Sequence, residues 1–188
     1  MEDRTRELTD AMLDWAGPRG VRIGQWYACY ARTLAALGRG DYEEGYRQAT
    51  AISPAGTFAS HVPYATWVMM DLVEAAVRTG RHAEAAAHVT AMRTDDVAAL
   101  SPRLALLAAG AAAIAAPDDS ATGLFEAALT IPGIDRWPFD LARVQLAYGE
   151  RLRRTRAPTV SRVHLAAALE TLFIPNDWWF RLPRTLHW

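Results

Sequence analysis

The sequence predicts an all-α chain built as a right-handed superhelical array of about four helical hairpins. Three observations carry that prediction. WYACYARTLAALGRGDYEEGYRQATAI, from Trp26 to Ile52, reads as two amphipathic stretches joined at a Gly-Arg-Gly-Asp corner. A small residue then recurs where the second helix of such a pair must approach the first most closely, at Gly45, Ala85, Ala121 and Ser161, spaced 40, 36 and 40 residues apart. Apolar positions follow four and seven residues later, at Ala49 and Ile52, Val89 and Met92, Phe125 and Ala128, Leu165 and Ala168, extending one face by one and two turns. A fixed period of this size with two helices per unit is the pattern of a solenoid.

The elements follow in order. Arg4 to Ala16 is a leading helix with Leu8, Met12 and Trp15 on one face, ended by Gly17, Pro18 and Gly20, and it reads as the second half of an incomplete hairpin. Four hairpins then occupy about residues 21–53, 64–93, 100–130 and 139–172. Gly40 and Gly80 lie five residues before their small residue, where a helix needs a left-handed stop, and Ala116 and Arg156 hold that place in the later units. Ser53 to Pro63 is a loop, and Ser101-Pro102 is a helix start. Residues 1–172 form the repeat domain; after Leu172 the alanine-rich pattern gives way to FIPNDWWFRLPRTLHW, an atypical tryptophan-rich tail over 173–188.

Composition excludes several chemistries. All 20 basic residues of the 188 are arginine, so no Schiff-base, Walker A or kinase-type lysine exists, and the net charge of −1 with a pI near 6.5 disfavours bulk nucleic acid or an anionic membrane as partner. The 37 alanines favour helix throughout. Cys29 stands alone, which rules out an intrachain disulfide and a cysteine cluster, and reads as a small buried apolar residue rather than a reactive thiol. The charged N-terminus does not resemble a signal peptide, and Leu104 to Pro117 is too short to span a bilayer, so the expected location is the cytoplasm.

No catalytic, cofactor or metal site is expected. His61, His82, His88, His164 and His187 form no ligand spacing and read as structural or solvated. Asp95-Asp96 and Asp118-Asp119 can run acid and base chemistry only if burial separates their pKa values, and read instead as helix-start acids. The serines at 53, 60, 101, 120 and 161 lack a G-x-S-x-G context. RLRRTR, with Arg151, Arg153, Arg154 and Arg156, offers phosphate or an acidic peptide a binding cluster, but cations at a helix end also complement its dipole.

The segments WYACYARTLAALGRGDYEEGYRQATAISPAGTFASHVPYATWV, DLVEAAVRTGRHAEAAAHVTAM, LSPRLALLAAGAAAIAAPDD and DRWPFDLARVQLAYGERLRRTRA resemble the helical-repeat region of large actinobacterial LuxR-type transcriptional regulators. Those regulators carry an N-terminal ATPase module, a tetratricopeptide-like middle and a C-terminal helix-turn-helix, and the resemblance covers roughly residues 5 to 172. The chain has no G-x-x-x-x-G-K-[ST] and no helix-turn-helix, so direct nucleic-acid binding is not implied. The resemblance implies a non-enzymatic interaction or sensing module of such a regulator, truncated before its output domain. The alternative is a stand-alone tetratricopeptide-like scaffold with the tail as its cap.

In tetratricopeptide-like arrays the first helix of each unit lines a concave groove. By register its inward positions here are Tyr27, Tyr30, Trp67, Glu74, Arg103, Arg143, Glu150 and Arg154. Aromatics and arginines are common interface anchors, although the three aromatics read equally well as core. The expected partner is a protein or peptide, or a small effector, with no cofactor and no membrane, and self-association is expected through exposed end repeats.

Overall fold

A computed structural model describes residues 2–59 and 61–172 of the chain. Among these residues the fold is all-α, with nine α-helices and two short 3₁₀ turns. The tail from 173 to 188, with Trp178, Trp179 and His187, lies outside them, as does Ser60. The chain divides into two compact units, residues 1–132 and 133–188.

The first unit holds α1 (Glu2–Ala16), α2 (Arg22–Gly38), α3 (Tyr42–Thr50), α4 (Pro63–Arg78), α5 (His82–Thr94), α6 (Pro102–Ala115) and α7 (Asp118–Leu129), with a 3₁₀ turn at Val97–Leu100. Its centre is α4, on which Ala65, Val68, Met69, Leu72, Val73 and Ala76 are all buried. A helix apolar on most of its sides must be covered there, and α4 packs against α2, α3, α5 and α6. Each chain neighbour also packs on the next, α1 on α2, α2 on α3 and α6 on α7.

One corner is used three times in this unit. The amides of Val21, Asp41 and Arg81 donate to the carbonyls of Ala16, Ala36 and Ala76 at 3.0, 2.9 and 2.7 Å, five residues back. Each turn needs its penultimate residue in the left-handed region, and Gly20, Gly40 and Gly80 supply φ of 66, 76 and 78°. At the α6–α7 connection Ala116 is instead extended, with φ −69° and ψ 150°, because Pro117 follows and biases it away from helix.

The starts of the helices are chemical too. The Asp41 carboxylate accepts from the Glu44 amide at 3.2 Å, and the Ser101 hydroxyl accepts from the Leu104 amide at 3.2 Å ahead of Pro102. Asp118 and Asp119 lie in the first turn of α7. Asp95 and Asp96 differ from expectation: Asp95 ends α5 and Asp96 adopts φ 48° with no capping bond, because the 3₁₀ turn, not a new helix, begins there.

The recurring small residues Gly45, Ala85 and Ala121 are buried, as are Ile52, Met92 and Ala128 seven positions on. A Cβ on Gly45 would stand 2.9 Å from Leu37 Cδ2, so this is a true close approach of α3 to α2.

The second unit contains a 3₁₀ turn at Ile134–Arg136, α8 (Pro138–Arg154) and α9 (Pro158–Leu172). Its corner repeats the same turn, with the Ala157 amide donating to the Leu152 carbonyl at 2.9 Å, but Arg156 takes the left-handed position at φ 62°. The two helices touch at Gly149: the Ser161 hydroxyl donates to its carbonyl at 2.8 Å, and Leu165 packs over it. Arg151 of the RLRRTR run is buried, while Arg153, Arg154 and Arg156 are exposed. Among the described residues, no helix is long and apolar enough to cross a membrane.

Candidate interaction surface

Alternate helices α2, α4 and α6 pack side by side, and this adjacency assembles an aromatic ledge. Tyr27 and Tyr30 are three apart on α2, and Tyr64 and Trp67 are three apart on α4, so each pair shares a face. Their rings meet edge to face or tilted: Tyr27 with Tyr64 at 5.9 Å, Tyr30 with Tyr64 at 6.2 Å, Tyr30 with Trp67 at 5.7 Å and Tyr64 with Trp67 at 5.0 Å between centroids. These separations lie in the range where aromatic quadrupoles attract. From α6 the Arg103 guanidinium comes within 6.0 Å of the Trp67 ring centroid, at the outer edge of a cation–π contact.

The ledge is neither core nor loose surface. Tyr27 is 48% exposed and Trp67 38%, while Tyr30, Tyr64 and Arg103 are half-buried. Burial raises the Tyr64 phenol above its ordinary pKa, and the neighbouring Tyr27 adds to the effect, so the hydroxyl stays protonated and available as donor or acceptor. Glu74 continues the same face of α4 two turns beyond Trp67, with Arg78 at 3.9 Å.

Tyr27, Tyr30, Trp67 and Arg103 are thus brought together, with Glu74 further along α4. Arg143, Glu150 and Arg154 belong to the other unit, on a common face of α8, where Arg143 and Glu150 are half-buried and Arg154 is exposed. Sequence reasoning missed Tyr64. The signal was available, because Tyr64 precedes Trp67 by the same three residues that separate Tyr27 from Tyr30.

The sequence left His88 open between a structural and a solvated role, and the structure buries it. Fully enclosed on α5, with the Phe58 ring 6.3 Å away, His88 offers neither ring nitrogen a hydrogen-bond partner among the described residues. Burial pushes its pKa down to about 4. Its place, three after Ala85 and four before Met92, is on the inner face, which is how the sequence could have found it. Cys29 is half-buried, and burial raises its thiol pKa against the lowering pull of Arg32 and Arg47. Among the described residues no group of three or more His, Cys, Asp or Glu is placed to hold a metal ion.

No family model matches the chain, and no curated protein or solved structure matches it significantly.

Proposed function

We propose that this chain is a non-enzymatic interaction and sensing module, a right-handed superhelical array of tetratricopeptide-like hairpins that binds a peptide or protein partner on the α2/α4/α6 face. The observation that carries it is the half-exposed ledge of Tyr27, Tyr30, Tyr64 and Trp67 with Arg103 beside it. Rigid aromatics with few rotatable bonds give large contact area at small entropic cost, and an adjacent arginine supplies direction. Side-by-side packing of α2, α4 and α6 and the recurring corner support the array. Trp67→Ala and Tyr27→Ala, both at exposed positions, should leave the melting temperature within a few degrees of the native chain and weaken a selected peptide about tenfold each. Binding by both variants as tight as that of the native chain would refute the assignment.

The parent protein, in this reading, is a cytoplasmic LuxR-type transcriptional regulator, supported by the quoted segments. Translating the DNA downstream of the Leu172 codon in three frames tests this. A further helical unit and a helix-turn-helix would agree with it; their absence would favour the stand-alone scaffold. Self-association belongs to the same reading and is supported by α9, where Leu169, 55% exposed, lines an apolar groove of about 300 Å³ with Leu146, Leu165 and Leu172.

A further inference from the structure

Two of the grooves between helices outside the α2/α4/α6 row differ in how they are closed. Between α3 and α5 the polar side chains close across the gap: Arg81 bonds Glu43 at 2.9 Å, the Tyr46 hydroxyl donates to Glu84, and the Arg81 guanidinium lies 4.6 Å from the Tyr46 ring. Between α1 and α3 no such closure exists among the described residues. Among the described residues no hydrogen bond or ion pair joins those two helices, and a cavity of about 390 Å³ opens over α2.

Its lining is unlike that of an ordinary crevice. Arg6, Arg32, Arg39 and Arg47 face it from all three helices and the corner, against the carboxylates of Asp10, Asp41 and Glu44. Among the described residues that line it, four arginines stand against three carboxylates. Each carboxylate is already engaged: Asp10 by Arg32, Glu44 by Arg47 at 2.6 and 2.8 Å and by Gln48 at 2.8 Å, and Asp41 by the Glu44 amide. Two of the guanidiniums keep donors to spare. Arg32 spends Nε on Thr9 and Nη2 on Asp10, and Arg47 spends Nε and Nη2 on Glu44, so each retains its Nη1 amine. Arg6 has no ion pair among the described residues.

We propose that this cavity binds a small organic oxyanion, a phosphomonoester or a hydroxycarboxylate, with Arg6, Arg32 and Arg47 as the anion-binding groups. The carboxylates hold the forks of Arg32 and Arg47 in place, so the entropy of positioning long side chains is already spent before the ligand arrives. The volume falls within the range of small-molecule sites and exceeds what one inorganic ion fills. Thr5 and the engaged carboxylates line the remainder and suit hydroxyl groups on the ligand. The site is separate from the aromatic ledge, and it can stand or fall without it.

Isothermal titration of the full chain with inorganic phosphate, glycerol 3-phosphate and citrate tests the proposal. Saturable one-to-one binding of glycerol 3-phosphate or citrate, tighter than inorganic phosphate, is expected, and whichever organic anion prevails identifies the source of the oxyanion. Arg6→Ala and Arg47→Gln should each weaken it about tenfold, the loss of one charge-assisted hydrogen bond. Arg93→Ala, which removes the same charge at an exposed site on α5, should leave it unchanged. No saturable binding up to about 10 mM, or equal weakening by Arg93→Ala, overturns the proposal; Arg6→Ala remains decisive if Arg47→Gln fails to fold, since Arg6 is exposed.

Discussion

Burial without a hydrogen bond makes His88 neutral in the folded chain. An imidazole in water protonates near pH 6.5, whereas here protonation waits until about pH 4. Between those values the unfolded chain binds more protons, so stability falls as pH drops from 6.5 toward 4 and recovers as it rises again. At 1.36 kcal/mol per unit the loss approaches about 3 kcal/mol. Glu43 and Glu44, held below their ordinary pKa, act in the same direction at the lower end of that range; an arginine bond is the main cause for Glu43, and for Glu44 the Arg47 and Gln48 bonds together outweigh the opposing effect of burial. His88→Leu separates the contributions. It should raise the melting temperature at pH 5 by several degrees and flatten the stability profile between pH 6.5 and 5, as followed by urea unfolding at stepped pH. An unchanged slope would show that His88 does not carry the acid sensitivity.

Two glycines separate backbone freedom from packing. Gly to Ala inside a helix gains about 1 kcal/mol of propensity. At Gly45 the added methyl meets the movable tip of Leu37 at 2.9 Å, so gain and strain roughly cancel. At Gly149 it meets Leu165 Cδ2 and Cγ at 2.7 Å and the Leu165 backbone nitrogen at 3.2 Å. Backbone cannot step aside as a side-chain tip can. Gly149→Ala should therefore cost about 2 kcal/mol and Gly45→Ala less than about 0.5 kcal/mol by denaturant titration. Equal costs would mean that α8 and α9 are further apart than they stand here.

At the scale of elements, the corner is the unit that the sequence states most openly. A left-handed residue and a five-residue-back hydrogen bond recur at Gly20, Gly40, Gly80 and Arg156. Gly80 has open space around it, so Gly80→Ala tests the backbone alone and should destabilise by about 1 kcal/mol. Arg156→Gly should act oppositely, stabilising by about 0.5 kcal/mol once the greater freedom of glycine in the unfolded chain is counted. Opposite signs in paired thermal melts are the expected result, and matching signs would contradict this view of the corner. The Ala116 position was not legible as an exception, because the proline that straightens it looks in sequence like any helix-breaking neighbour.

The whole molecule was legible in class more than in site. Apolar spacing and small residues in register point to an all-helical chain, since each hairpin's contacts are local and repeat. The ledge was half legible: Tyr27, Tyr30, Trp67 and Arg103 were named from register, but Tyr64, one turn before Trp67 on the same helix, was not. The α1/α3 cavity was illegible for a physical reason. Arg6, Arg32 and Arg47 come from three helices with no common spacing, and only folding brings them to one space.

The most direct test of the interaction-module reading is a displayed-peptide selection on the native chain, with winners re-measured against Trp67→Ala and Tyr27→Ala. The account predicts a family of enriched peptides whose affinity falls about tenfold in each variant. No enrichment, or enriched peptides that bind both variants as tightly as the native chain, would contradict it.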